Sequence, residues 1–218
     1  MQNALQWVFR VSRDFCVKCH FPIRVCLCNA ISPVAAHTRV WVLQHPSEVD
    51  HGKNSARLLP LILDTARIFV GESEADFTPL RQQLKAENLA PVLVYPADDG
   101  EVFSLPSVGG QPESRVLLLL DGTWRKALKM YHLNPWLHSL PKLAFTPDSP
   151  SAYRIRKASR SDSLSTLEAA ACALAQLEPG LDIRPMLQCF DAMISRRLEA
   201  MPEAVRQRYL TDPERETD

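Results

Sequence analysis

LLLLDGTWRKALKM, Leu117 to Met130, carries the first decision about this chain. Four leucines follow Arg115-Val116 with no polar alternation. That pattern fits a strand covered on both faces, as in a parallel sheet. Asp121-Gly122 ends the strand, and Trp124 to Tyr131 has the period of a helix. A buried strand running into a helix places a carboxylate and an indole at the sheet's carboxyl edge. In open α/β sheets, ligands gather at that edge.

Reading outward, Thr38-Arg-Val-Trp-Val-Leu-Gln44 is a strand that His45-Pro46 stops. Asn54 or Ser55 is placed to cap a helix, and Pro60 either interrupts it or lies in an early turn. Ala66 to Val70 is the next strand, residues 78–88 a short helix and Pro91 to Tyr95 a strand closed by Pro96. Asp98-Asp99-Gly100 continues that turn. Leu140 to Phe145 is a further short strand, and Pro135 ends the segment before it. Ser165 and Glu168 have capping-box spacing ahead of an alanine-rich helix to Leu177. Pro179-Gly180 breaks it, and Ile183 to Leu198 forms a last long helix with Met186, Phe190, Met193 and Ile194 mostly on one face. Strands alternate with helices, so the class is α/β with a parallel or mostly parallel sheet. No G-x-G-x-x-G or phosphate-loop lysine motif occurs, so neither a dinucleotide fold nor an ATPase is indicated.

Size and composition agree. The chain has 218 residues, 46% of them apolar, enough for one good core and a small appendage. Its apolar runs are too short to cross a bilayer, and MQNALQWVFRVSRDF is not patterned as a secretory signal, so a cytoplasmic protein is expected. The zero net charge hides an uneven distribution. Residues 1–57 hold seven bases and three acids, 58–114 three bases and nine acids, and 115–160 nine bases and two acids. That is either a local footprint for an anionic partner or a set of solvated faces.

Four of the six cysteines lie within thirteen residues, as Cys16-x2-Cys19-x6-Cys26-x-Cys28. Four thiolates close a tetrahedral structural zinc site with no open position for catalysis. The second pair is tighter than a standard finger. Iron–sulfur ligation, a redox pair and ordinary buried thiols are the alternatives. Cys172 and Cys189, in apolar helical contexts, are read as buried thiols. The expected division is a knuckle segment over 1–36, a main domain over 37–200 and a charged tail over 201–218, frayed after Tyr209.

Several segments together resemble one family. They are the four cysteines, His45-Pro46-x-Glu48, Asn54-Ser55-Ala56, Tyr95-Pro96, Asp121-Gly122-Thr123-Trp124, Tyr153-x-Ile155-Arg156 and Ser165-Thr166-Leu167-Glu168. In this order they resemble the DTW-domain family of tRNA-uridine aminocarboxypropyltransferases, over roughly residues 16–190. The resemblance implies a SPOUT-like, knotted fold that binds S-adenosylmethionine. It also implies transfer of the 3-amino-3-carboxypropyl group to ring nitrogen 3 of a variable-loop uridine in tRNA, with methylthioadenosine released. The rival readings are an S-adenosylmethionine-dependent RNA methyltransferase and a non-catalytic zinc-bearing tRNA-binding module.

The expected roles follow. Uridine's ring nitrogen carries a proton, so a positioned carboxylate is needed. Asp121 is the first choice as base or substrate-orienting group; capping of the following helix is the structural alternative. His45 and Glu48 join it as catalytic candidates, against a role in ordering their loop. Tyr95, Pro96, Leu120, Gly122, Thr123 and Trp124 are expected to line the cofactor pocket. Arg156, or the helix start at Ser165 and Thr166, would meet the cofactor carboxylate. Trp124 is equally a core residue, and Thr123 is first of all a cap. Arg125 and Lys129, together with Tyr153, Arg154, Lys157 and Arg160, suit an RNA backbone. The expected partner is tRNA, with no membrane, and the chain is expected to be a monomer.

Overall fold

The computed structural model describes residues 14–49, 51–95, 112–144 and 164–210. Pro96, Asp98, Asp99, Gly100, Phe145, Tyr153, Arg154, Ile155, Arg156, Lys157 and Arg160 lie outside them. The described chain runs β1 (Arg39–Gln44), α1 (Leu59–Ile62), β2 (Arg67–Val70), α2 (Thr78–Ala86), β3 (Ala90–Val94), β4 (Arg115–Asp121), α3 (Trp124–Leu133), β5 (Lys142–Leu143), α4 (Thr166–Leu177), α5 (Arg184–Glu199) and α6 (Glu203–Leu210). The five strands form one sheet in the order β2-β1-β4-β3-β5, and every pairing is parallel.

The leucine run occupies the middle of that sheet. Leu117 and Leu119 point to one face, with Val40, Val42, Val92 and the buried sides of α4 and α5. Val116 and Leu118 point to the other, with Trp41, Leu43, Leu93, α2 and Met130 of α3. Successive strand residues alternate between faces. A strand buried on both therefore needs an unbroken apolar run, as β4 has from Val116 to Leu120.

The cysteine segment packs into the same core. Cys19, Phe21, Leu27 and Val34 are buried in the cluster that contains α4 and α5. Glu178 joins the ends of two elements, since its carboxylate accepts the Thr38 and His37 amides at 2.6 and 3.1 Å just ahead of β1. Helix α4 begins with a complete capping box between Ser165 and Glu168. Pro60 falls in the first turn of α1, where its missing N–H costs nothing.

Several details differ from the pattern-based reading, among them the strand expected over Leu140 to Phe145, of which only Lys142–Leu143 is strand among the described residues. α3 continues through Leu133, two residues past Tyr131. Residues 203–210 are helical although a charged tail was expected, because α6 has little apolar periodicity to announce it. Cys189 is fully buried, and burial pushes its thiol up to about 11, but Cys172 is only half-buried. No helix among the described residues is long and apolar enough to cross a membrane.

Leu118 is fully buried at the centre of the sheet. Leu118→Ala is expected to lower unfolding free energy by about 2–5 kcal/mol, read from the urea midpoint with an unchanged denaturant slope.

Candidate active site and four-cysteine centre

The site is built where β1 and β4 end side by side. Gln44 and Asp121 are register partners. Beyond them the chain departs from β1 toward β2 and from β4 toward β5, on opposite sides of the sheet. Such a divergence opens a crevice at the carboxyl edge.

Asp121 is 1% exposed and accepts three side-chain hydrogen bonds. Gln44 Nε2 and Asn54 Nδ2 donate to its Oδ2 at 2.8 and 2.6 Å. Thr166 Oγ1 donates to its Oδ1 at 2.6 Å. A carboxylate in the interior needs such partners to remain ionised. The three donors come from β1, from the loop before α1 and from the first residue of α4. One carboxylate therefore ties three elements to the end of β4. Asp121 is not the cap of α3; the N-cap position belongs to Thr123, which makes no side-chain capping bond. A Cβ on Gly122 would lie 3.1 Å from Lys126 Cβ and 3.6 Å from His45 Cβ. A side chain there would press on Lys126, which would have to give by a few tenths of an ångström.

A second, charged group lies beside this buried one. His45 Nε2 is 3.1 Å from Glu72 Oε1, and Lys129 Nζ is 2.9 Å from the same oxygen. The Ser47 amide donates to His45 Nδ1 at 3.2 Å, which places the imidazole proton on Nε2, facing Glu72. Lys129 first, and then His45, hold the Glu72 carboxyl below its usual range. Glu48, 2% exposed, meets Lys126 Nζ at 3.1 Å, and Lys126 Nζ also donates to Ser47 Oγ at 2.5 Å. The loop after β1 is thereby clamped to α3.

On the other flank Tyr95 and Trp124 stack, with ring centroids 6.2 Å apart, and Tyr95 stacks on Tyr131 at 4.6 Å. Lys142 Nζ lies 5.2 Å from the Tyr131 ring and 5.8 Å from that of Tyr95. Trp124 is 42% exposed, which removes the reading of it as a core residue. Leu120, half-buried in β4, lies against the Tyr95 and Tyr131 side of the core.

At the start of α4, the Leu167 amide donates to Ser55 Oγ at 3.4 Å and the Glu168 amide to Ser165 Oγ at 3.2 Å. Two first-turn amides are thus already bonded within the fold. Arg125 and Lys129 are exposed on α3. Glu72, Lys126, Gln44, Tyr131 and Lys142 were not among the sequence candidates. Their neighbours in space are far away in the chain, and only the sheet order brings them together.

The four cysteine sulfurs all lie within 4.8 Å of one another. Cys16 and Cys28 are 3.5 Å apart, Cys19 and Cys26 3.7 Å. A tetrahedral zinc with bonds near 2.3 Å has sulfur edges of about 3.8 Å, so the donor set fits a structural zinc site. The residues that hold the centre also reach the sheet edge. His20 adopts φ 57, a left-handed conformation uncommon for a residue with a Cβ. Its carbonyl accepts Arg57 Nη2 at 2.7 Å, while the Arg57 amide donates to Asn54 Oδ1 at 3.1 Å. Asn54 in turn donates to Asp121.

Chain-wide comparisons extend this picture. The DTW domain model matches residues 13–198. The tRNA-uridine aminocarboxypropyltransferase 2 of Drosophila melanogaster is 32% identical over 181 residues, covering 80% of this chain and 71% of the fly protein. The protein of the same name from Mus musculus is 27% identical over 194 residues, covering 87% of this chain and 62% of its own length. The Macaca fascicularis protein of that name is 24% identical over 192 residues, covering 86% of this chain and 64% of its own. No solved structure matches this chain.

Two outcomes are expected from this geometry. Asp121→Asn turns an acceptor into an amide among three donors and should cost about 1–3 kcal/mol of stability, measured by denaturant titration. Metal analysis should find one zinc per chain, and Cys26→Ser or a strong chelator should remove it and lower the melting temperature.

Proposed function

This chain belongs to the DTW-domain family, and we propose that it is a tRNA-uridine aminocarboxypropyltransferase. In this reading the 3-amino-3-carboxypropyl group of S-adenosylmethionine passes to ring nitrogen 3 of a variable-loop uridine, and methylthioadenosine is released. The observation that carries the reading is the 32% identity, over 80% of the chain, with a relative of that printed activity. We read the fold as SPOUT-like and knotted, supported by the parallel sheet and the polar groups at its carboxyl edge. Cytoplasmic placement and a monomeric state complete the reading.

Bound S-adenosylmethionine supplies an activated sulfonium, whose aminocarboxypropyl methylene is the electrophile. The protein's task is then to orient the two substrates and accept one proton. Trp124, stacked on Tyr95, offers a partly exposed indole for an adenine or a uracil. Gly122 keeps the backbone narrow beside it. Asp121 is too buried to touch a nucleobase directly. Its partner Thr166 is only half-buried, and the Thr166 Oγ1 hydroxyl donates to Asp121 at 2.6 Å. The hydroxyl can take the uridine proton while passing its own to the carboxylate, so Asp121 serves as the base through Thr166. His45 and Glu48 hold the adjoining loop through Glu72 and Lys126. Ser165 fixes the helix start that carries Thr166. Arg156 is the proposed partner of the cofactor carboxylate. Pro96 is assigned to the adenosine side, and Tyr153, Arg154, Lys157 and Arg160 to the RNA backbone. Cys16, Cys19, Cys26 and Cys28 hold the zinc and contribute stability, not chemistry.

The test is incubation of the zinc-loaded protein with unmodified tRNA and S-adenosylmethionine, followed by mass spectrometry of the nucleosides and the small-molecule product. Aminocarboxypropyluridine with methylthioadenosine is the expected result. A methylated nucleoside with S-adenosylhomocysteine would overturn the reaction and leave the cofactor in place. Thr166→Val, checked for folding, should slow product formation by about 10²-fold or more if the hydroxyl relays the proton.

A further inference from the structure

Helix α3 buries its inner side in the fold, and Trp124 and Lys129 on its outer side touch Tyr95 and Glu72 while staying exposed. Ala127 and Met130 are buried, and Lys126 turns toward Glu48. Its outer side carries two rows at helical spacing. Trp124 and Leu128, 42% and 38% exposed, form an apolar row. Arg125, Lys129 and His132, all exposed, form a basic row beside it at i, i+4 and i+7. The basic row spans roughly 10 Å along the axis. The helix contains no acidic residue. Among the described residues two carboxylates meet it, Glu48 at Lys126 and Glu72, which His45 and Lys129 share.

We propose that this outer face of α3 is the docking surface for the single-stranded nucleotides flanking the target uridine of tRNA. The inference rests on the tRNA-modifying reading and adds a place and a direction for the substrate. Single-stranded RNA presents base faces on one side of a charged backbone. Proteins that track it pair stacking or apolar side chains with a basic row. α3 supplies that pairing, and its N-terminal residue Trp124 adjoins the Asp121 edge. The flanking strand runs along α3 while the uridine turns in at Trp124. A second copy of the chain is the less suitable occupant. An isologous contact would set the basic row of one α3 against its own counterpart, with no acid on the helix to offset the repulsion.

The experiment measures binding of an unmodified tRNA transcript to the zinc-loaded full chain by fluorescence anisotropy across a salt series, without S-adenosylmethionine. Leu128→Glu and His132→Glu change exposed side chains and are compared with Val205→Glu, an exposed position on α6. Each α3 variant should weaken binding at least about tenfold, while Val205→Glu should leave it unchanged. Arg125→Ala should reduce the slope of log affinity against log salt by about 0.7, the loss of one phosphate contact to a single strand. Thermal melting establishes that each variant is folded. Wild-type affinity in both glutamate variants overturns the proposal. So does a wild-type dimer that Leu128→Glu dissociates without loss of tRNA affinity. Product analysis on the same samples separates this from the reaction itself. A wild type that makes aminocarboxypropyluridine while the variants keep their affinity defeats only the docking surface. Variants that lose tRNA, beside a wild type that makes no such product, uphold the surface and defeat the reaction.

Discussion

The Asp121 carboxylate holds the end of β4 to three separate parts of the chain, and the arrangement of the sheet edge depends on it. Its three donors, Gln44, Asn54 and Thr166, lie 77, 67 and 45 residues away in sequence. An ionised group in the interior is stable only when its oxygens are occupied by donors. The requirement acts in both directions. Two of the donors are buried too: Gln44 is 5% exposed and Asn54 1%, so each would be costly without the carboxylate. Stability and site geometry thus reside in the same four side chains. Of the three donors, Thr166 is the one that is only half-buried.

The cysteine centre joins this arrangement through backbone geometry. Cys19 and Phe21 are buried on either side of His20, and His20 takes the left-handed turn that sends its carbonyl to Arg57. The Arg57 guanidinium lies 4.1 Å over the Phe21 ring. The arginine therefore reads the position of the knuckle through a hydrogen bond and a ring contact together. Through Asn54 the same segment reaches Asp121. Four thiolates without a metal repel one another when ionised, so a bound zinc would do more than staple residues 16–28. It would fix the turn on which Arg57 and Asn54 align.

What could be read from the residues alone follows from which forces are local. β4 was legible because burial on both faces demands an unbroken apolar run, and α4 because a capping box is a four-residue interaction. The cysteine cluster was legible because zinc ligation fixes ligand type and spacing within thirteen residues. Asp121, Trp124 and His45 stood out because each closes or follows a strand. Glu72, Lys126, Tyr131 and Lys142 did not. Each takes its role from a partner that the order β2-β1-β4-β3-β5 supplies, and strand order is not written in local periodicity. α6 was missed for a different reason, since a helix without an apolar face gives no periodic signal. The DTW resemblance pointed to Asp121 without showing that its carboxylate would be enclosed.

The uneven charge along the chain gains a physical meaning from the same sheet order. Residues 58–114 are acid-rich and residues 115–160 base-rich, and the loop after β2 brings Glu72 from the first block against Lys129 from the second. That contact offsets part of the positive field at Lys129, and Glu48 does the same for Lys126 on the inner side of α3. A uniformly basic protein would attract RNA from every direction. A neutral one whose bases are concentrated in one stretch of sequence presents a local positive potential instead. Zero net charge is then compatible with a polyanionic substrate, because attraction is set by the local potential at the contact and long-range terms are screened within about 8–10 Å at moderate salt.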